Sequence, residues 1–186
     1  MRNEENVLIE SLSDNPENII FLDIDGVLNN DASMLFYKYI FDEKIGVDRR
    51  SLDILKHICD IYNAKIVLSS SYRLGFDSNM NPKSNSAVLE LNKLFMDNNI
   101  KVIGKTDNKS LPNEKWDRPR QIVNYINKYL RSFDKWVVLD DENLLGRSSK
   151  DIDEILKDHF IKTDCCKNGL DYNTAKQIMN IFSSEE

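Results

Sequence analysis

Ile19-Ile20-Phe21-Leu22-Asp23-Ile24-Asp25-Gly26 is the stretch on which the fold turns. Its opening run of consecutive apolar residues suits a strand covered on both faces. Such strands belong to parallel sheets sheathed by helices. The run ends in two acids and a glycine, which places polar chemistry at the strand's carboxyl end. On the C-terminal side, similar short apolar runs recur at Lys65–Ser69, Ile100–Ile103, Trp136–Asp140 and His159–Lys162. Helical spacing occupies the intervals. Behind Asp48, an expected N-cap, Leu52, Leu55, Ile58, Cys59 and Tyr62 share one face. Behind Asp117, Ile122, Val123, Ile126, Tyr129 and Leu130 do the same. Further helices are expected over Ser86–Asp97 and Asn173–Phe182. Strand–helix alternation implies right-handed crossovers and a three-layer α/β/α, Rossmann-like sandwich. Ligands of such sheets bind beyond the carboxyl ends of the strands.

The chain has 186 residues, enough for a single domain (1–186), with its core expected over about 19–182. With 41% hydrophobic and 30% charged residues it can build a core. Its 25 Lys+Arg against 31 Asp+Glu give a net charge of −6, which excludes a dominant basic footprint for duplex nucleic acid. A local basic mouth stays compatible with that charge. No apolar run reaches the roughly 18 residues of a membrane span, and the polar start MRNEENVLIESLSDNPEN lacks a signal-peptide pattern. Cys59 and the adjacent Cys165 and Cys166 cannot form a paired disulfide framework. A soluble, cytoplasmic protein with reduced thiols is expected, with no membrane association and no obligate protein partner.

Several strands end in chemically competent groups. The first runs into Asp23-Ile24-Asp25-Gly26, the second into Ser69-Ser70-Ser71-Tyr72-Arg73, and the fourth into Asp140-Asp141-Glu142. Lys115, Arg118 and Arg120 flank the start of the Asp117 helix. Asp23, Asp25, Asp140 and Asp141 at one sheet edge repel one another unless a cation sits among them. Oxygen-only ligands select a hard ion, so Mg²⁺ is the expected cofactor. A hydroxyl and a guanidinium facing the same spot are what a phosphoryl group requires. Gly26 lets backbone approach a phosphate closely. With the ends of strands one, two and four adjacent, the sheet order is expected to be 5-4-1-2-3.

DIDGVLN (residues 23–29) after a buried strand resembles the first motif of the haloacid dehalogenase-like (HAD) phosphohydrolases. Ser69 resembles their second motif, a basic residue near Arg118 their third, and Asp140-Asp141 their fourth, in the same order along the chain. More closely, IVLSSSYR, RPRQI, VVLDDE and HFIKTD…NGL resemble the HAD domains of Swiss Army Knife RNA-repair proteins. The resemblance implies a HAD fold, a Mg²⁺ ion and an aspartyl-phosphate intermediate. It implies Asp23 as nucleophile and Asp25 as general acid and base. It also implies metal contacts from Asp23, the Asp25 carbonyl and Asp141, with Ser69 and Arg118 on the phosphoryl oxygens. An acid at position 25 favours phosphatase or phosphomutase chemistry over dehalogenation. Asp140 is expected among the metal ligands, with orienting Asp141 or capping the next helix as the alternative.

Gly26, Ser70, Arg73, Lys115 and Arg120 are expected around the substrate. Lys115, Arg118 and Arg120 compete for the third-motif role. Residues 29–47 are too few for a large cap domain and are expected to form a small flap, leaving a capless enzyme. Phe36, Tyr37, Tyr39 and Phe41 are read chiefly as flap core, with base stacking as the alternative. His57, His159 and the Cys165-Cys166 pair are read as structural or incidental. An open site suits a substrate whose bulk stays outside, such as a phosphorylated polynucleotide 3′ or 5′ end. The alternatives are a phosphatase of free nucleotides or small phosphometabolites and a non-catalytic HAD-like or receiver-like binding module.

Overall fold

The computed structural model describes residues 16–107 and 117–184. The strands are β1 (Asn18–Leu22), β2 (Lys65–Leu68), β3 (Val102–Lys105), β4 (Lys135–Asp140) and β5 (Phe160–Lys162). All pair in parallel in the order β3-β2-β1-β4-β5, which is the expected order read from the other edge. The helices are α1 (Asp31–Phe41), α2 (Arg49–Tyr62), α3 (Ser86–Asp97), α4 (Arg118–Tyr129), α5 (Lys150–Leu156) and α6 (Tyr172–Ser183). A short 3-10 turn, Ser71–Gly75, follows β2.

Alternate strand residues enter two separate cores, so both sheet faces are covered. Ile20, Leu22, Ile66, Leu68, Val137 and Leu139 pack with the apolar residues of α2, α3 and α6. Ile19, Phe21, Val67, Trp136 and Val138 pack with Ile122 and Val123 of α4 and Ile152 and Leu156 of α5. Fully burying one such side chain contributes about 1.5–3 kcal/mol. That division explains why these strands read as unbroken apolar runs. The expected Asp48 cap forms, and Asp117 caps α4 in the same way, each side chain accepting an N–H of the first turn of its helix.

Residues 29–47 hold no cap domain, but they are more ordered than a flap loop. Asn30 and Ser33 close a reciprocal capping box, and α1 follows. The expectation that its aromatics form a flap core fails. Phe36, Tyr39 and Phe41 are exposed, Tyr39 by 76%. Phe36, Tyr37 and Phe41 touch one another along α1, but an 11-residue helix on its own cannot enclose them. His159 is structural as expected, stacked on Trp136 with Nδ1 against the Trp136 carbonyl.

Candidate active site

The parallel register builds the site. Leu22 lies opposite Leu68 on one side and Leu139 on the other, and Leu68 lies opposite Lys105. The ladder then continues one step past the strand ends. Asp23 N donates to Leu139 O at 3.0 Å, Ser69 N to Leu22 O at 3.0 Å, and Thr106 N to Leu68 O at 2.9 Å. Asp140, Asp23, Ser69 and Thr106 therefore form one lateral row, with neighbouring strands about 4.8 Å apart. Their in-phase predecessors Phe21, Val67 and Val138 face α4 and α5. The row thus points toward the first turn of α4.

Arg118 is the first residue of that helix. Its Nη1 donates to Asp23 Oδ2 at 2.6 Å and also to Asp140 Oδ2. The helix start is fixed by Asp117, which accepts from Arg120 N (3.1 Å), Arg120 Nε (2.9 Å) and Ser148 Oγ (2.9 Å). The two flanking carboxylates raise the Arg118 guanidinium pKa above its ordinary value despite burial.

Asp23, Asp140 and Asp141 each offer a carboxylate oxygen, and these oxygens lie within 4.8 Å of one another. Burial and then the Asp23 charge push Asp140 up to about 6, against the opposing pull of Arg118. Burial and the same charge raise Asp141 as well. Crowded acids of this kind favour a bound cation, and an all-oxygen donor set suits Mg²⁺. Gly26 leaves room for the cluster. A Cβ there would stand 2.3 Å from Asp141 Cγ, and the backbone has φ +72°. The residues present fit a divalent ion held by Asp23 and Asp141. Asp140 accepts from Arg118 and from Glu142 N (2.9 Å), and Asp23 likewise accepts from Arg118 and from Ile24 N (2.8 Å), whereas Asp141 has no bond from Arg118.

Asp25 stands outside this trio of carboxylates. Asn29 Nδ2 donates to Asp25 Oδ1 at 3.0 Å and to Ile45 O, while Asn29 Oδ1 accepts from Gly26 N. Burial raises the Asp25 pKa, the Asn29 bond lowers it, and the net shift is upward. That is the direction a general acid needs. Thr163 Oγ1 donates to Gly26 O at 2.8 Å and ties the loop to the end of β5. Both polar groups of the Gly26 backbone are therefore engaged within the protein.

Ser69 is wholly buried and its Oγ has no partner. Ser70 Oγ caps the 3-10 turn. Arg73, expected at the substrate, is instead 2% exposed and bonded to the Ser69 and Ser70 carbonyls and to Gln121. Arg120 reaches Asp117, not the acidic cluster. Lys115 lies outside the described residues. Sequence reasoning missed Asn29, Thr163, Gln121 and Thr106, neutral groups without a charge to betray them. It also set aside Cys165. The Cys165 thiol lies beside Asp141 and opposes the rise of its pKa, and the Cys165 carbonyl accepts from Asp31 N at the start of α1.

A parallel sheet in this order, with an acidic row at its carboxyl edge and a cation at a helix start, defines a HAD-like protein. The family described as "HAD domain in Swiss Army Knife RNA repair proteins" matches residues 19–175, and the chain belongs to it. No curated protein and no solved structure matches the chain significantly. The family points to phosphohydrolase chemistry.

Proposed function

We propose that this protein is a Mg²⁺-dependent phosphomonoesterase that works through an aspartyl-phosphate and acts on phosphorylated nucleic-acid ends in the cytoplasm. One observation carries the chemistry. Asp23 sits in a single row between Ser69 and the Arg118-bound Asp140, with an upshifted Asp25 two residues along.

An Asp23 carboxylate oxygen forms a bond to phosphorus as the ester P–O bond breaks, and Asp25 gives its proton to the departing oxygen. Asp25 then takes a proton from the water that attacks the phosphoenzyme. The second displacement releases inorganic phosphate and restores the Asp23 carboxylate. Ser69 Oγ donates to a phosphoryl oxygen, and Arg118 offsets equatorial charge. Asp23 and Asp141 would hold a Mg²⁺ ion, which would supply Lewis-acid stabilisation of that charge.

The family's RNA-repair description supports a polynucleotide end as substrate. So does the short segment 29–47, which carries only α1. The net charge of −6 favours the second reading, a free nucleotide or small phosphometabolite. Hydrolysis of 3′- and 5′-phosphorylated oligonucleotides, compared with mononucleotides, separates the two.

Trapping tests the chemistry. Asp23→Asn should abolish both turnover and phosphoenzyme. Asp25→Asn should lose about 10²–10⁴-fold with an alkyl phosphate but much less with an aryl phosphate, whose leaving group needs little protonation. Mass spectrometry of acid-quenched Asp25→Asn should then find phosphate on Asp23. A label on Ser69–Ser71, or wild-type turnover by Asp23→Asn, would refute the assignment.

A further inference from the structure

Arg73 is a charge buried where the proposed chemistry does not use it. It lies in the 3-10 turn after β2 and is 2% exposed. Its Nη1 donates to Ser69 O at 3.1 Å and to Ser70 O at 2.7 Å, and its Nη2 donates to Gln121 Oε1 at 2.8 Å. Gln121 is buried on α4 one turn beyond Arg118. A planar guanidinium suits such a bridge, because its donors leave in fixed directions. Desolvating a cation merely to hold a turn is expensive, and apolar packing would do that task more cheaply. The same corner holds a cluster of unpartnered polar atoms. Among the described residues, the buried side-chain polar atoms without a partner are Ser69 Oγ, Arg73 Nε and Thr106 Oγ1. The register sets Thr106 beside Ser69.

We propose that Arg73 is a positioning residue. It fixes the gap between the Ser69 hydroxyl and the Arg118 guanidinium by gripping the Ser69–Ser70 backbone on one side and Gln121 of α4 on the other. This inference rests on the phosphomonoesterase reading, in which that gap receives the phosphoryl group. Ser69 and Arg118 sit on different elements, one after β2 and the other at the start of α4. In the lateral row Asp23 and Asp140 hold the Arg118 guanidinium, but no bond there ties α4 to the Ser69–Ser70 backbone. Arg73 does so through three hydrogen bonds. A displacement of about 1 Å between groups that share one transition state can cost about 10²-fold in rate.

The test uses Gln121, which touches neither substrate nor metal. With p-nitrophenyl phosphate and saturating Mg²⁺, Gln121→Met should lower kcat about tenfold while KM moves less than about threefold. Gln121→Glu keeps an acceptor oxygen at the same reach and should return kcat to within about threefold of wild type. Equal kcat losses in the two variants, or a loss confined to KM, would overturn the proposal. Arg73→Met should add little to Ser69→Ala in the double variant, because the two act as one unit. Fully multiplicative losses would show that Arg73 works independently of Ser69. If Arg73→Met does not fold, the Gln121 pair still decides. A substrate-free readout separates this claim from the functional reading. The Arg118 Nε–H resonance in ¹⁵N NMR should shift or broaden in Gln121→Met and recover in Gln121→Glu. An unmoved resonance overturns the clamp. A responsive resonance in a protein that hydrolyses no phosphate ester retires the functional reading and leaves the clamp standing.

Discussion

At the scale of single residues, Asp140 and Asp141 are chemically alike but differently engaged. Asp140 gives one oxygen to Glu142 N and the other to Arg118, whereas Asp141 meets the Cys165 thiol and stands against Gly26. Asp141→Asn should therefore raise the Mg²⁺ concentration for half-maximal activity by at least about tenfold, and more than Asp140→Asn does. The opposite ranking in a Mg²⁺ titration would show that Asp140 is the direct ligand. Gly26→Ala attacks the same cluster from the backbone. At φ +72° and 2.3 Å from Asp141 Cγ, the new methyl must displace the carboxylate. Its left-handed strain alone costs about 1–2 kcal/mol. Both a lower Tm and a weaker Mg²⁺ response are expected, and a wild-type Mg²⁺ titration would argue against Asp141 as ligand. Asp23, Asp140, Asp141 and Arg118 were legible in the sequence because each is a charge at the end of an apolar run or the start of a helix. Asn29 and Thr163 were not. A neutral side chain has meaning only through its partner, and Thr163 finds Gly26 137 positions away.

At the scale of elements, α4 carries Arg118, the cation bonded to Asp23 and Asp140, and its first turn hangs on Asp117. Burial pushes the Asp117 carboxyl up, but bonds from Arg120 and Ser148 outweigh it and hold it below the usual range. A carboxyl depressed by folding contributes stability above its unfolded pKa of about 3.9, and that contribution fades as pH falls through the lower folded value. Asp117→Ala should cost about 0.5–2 kcal/mol, or roughly 1–8 °C in Tm near neutral pH. The gap between wild type and variant should narrow below about pH 4. A gap that widened on acidification would contradict the assignment. Activity should drop too, since Arg118 is the next residue. Asp48 was readable as a cap, and Asp117 as a helix start, because each precedes a clear apolar stripe. By contrast, DASMLFYKYIF (31–41) is apolar with no face, so the period signal that revealed α2 and α4 was missing. Short α5 offers only Ile152 and Leu156 to the core and escaped for lack of length.

At the scale of the whole molecule, no helix among the described residues is long and apolar enough to cross a membrane. If Asp23 and Asp141 bind Mg²⁺ in the folded state alone, the ion stabilises the chain by mass action. At about 100 times Kd the gain is about 2.7 kcal/mol, or roughly 5–10 °C in Tm for this size. Calorimetry with and without Mg²⁺ checks this, and excess EDTA should abolish turnover. A Tm indifferent to millimolar Mg²⁺, or full activity in EDTA, would remove the metal from the site. The sheet order has a further consequence, for synthesis on the ribosome. β1 is the central strand and is made first, yet its second neighbour β4 begins only at Lys135. At about 5–20 residues per second, one edge of Ile19–Leu22 waits roughly 6–20 s for its partner. Throughout that interval a bare, wholly apolar strand is open to adhesion with other nascent chains. Yield in cells should therefore depend on chaperone supply more steeply than the finished protein's Tm would suggest.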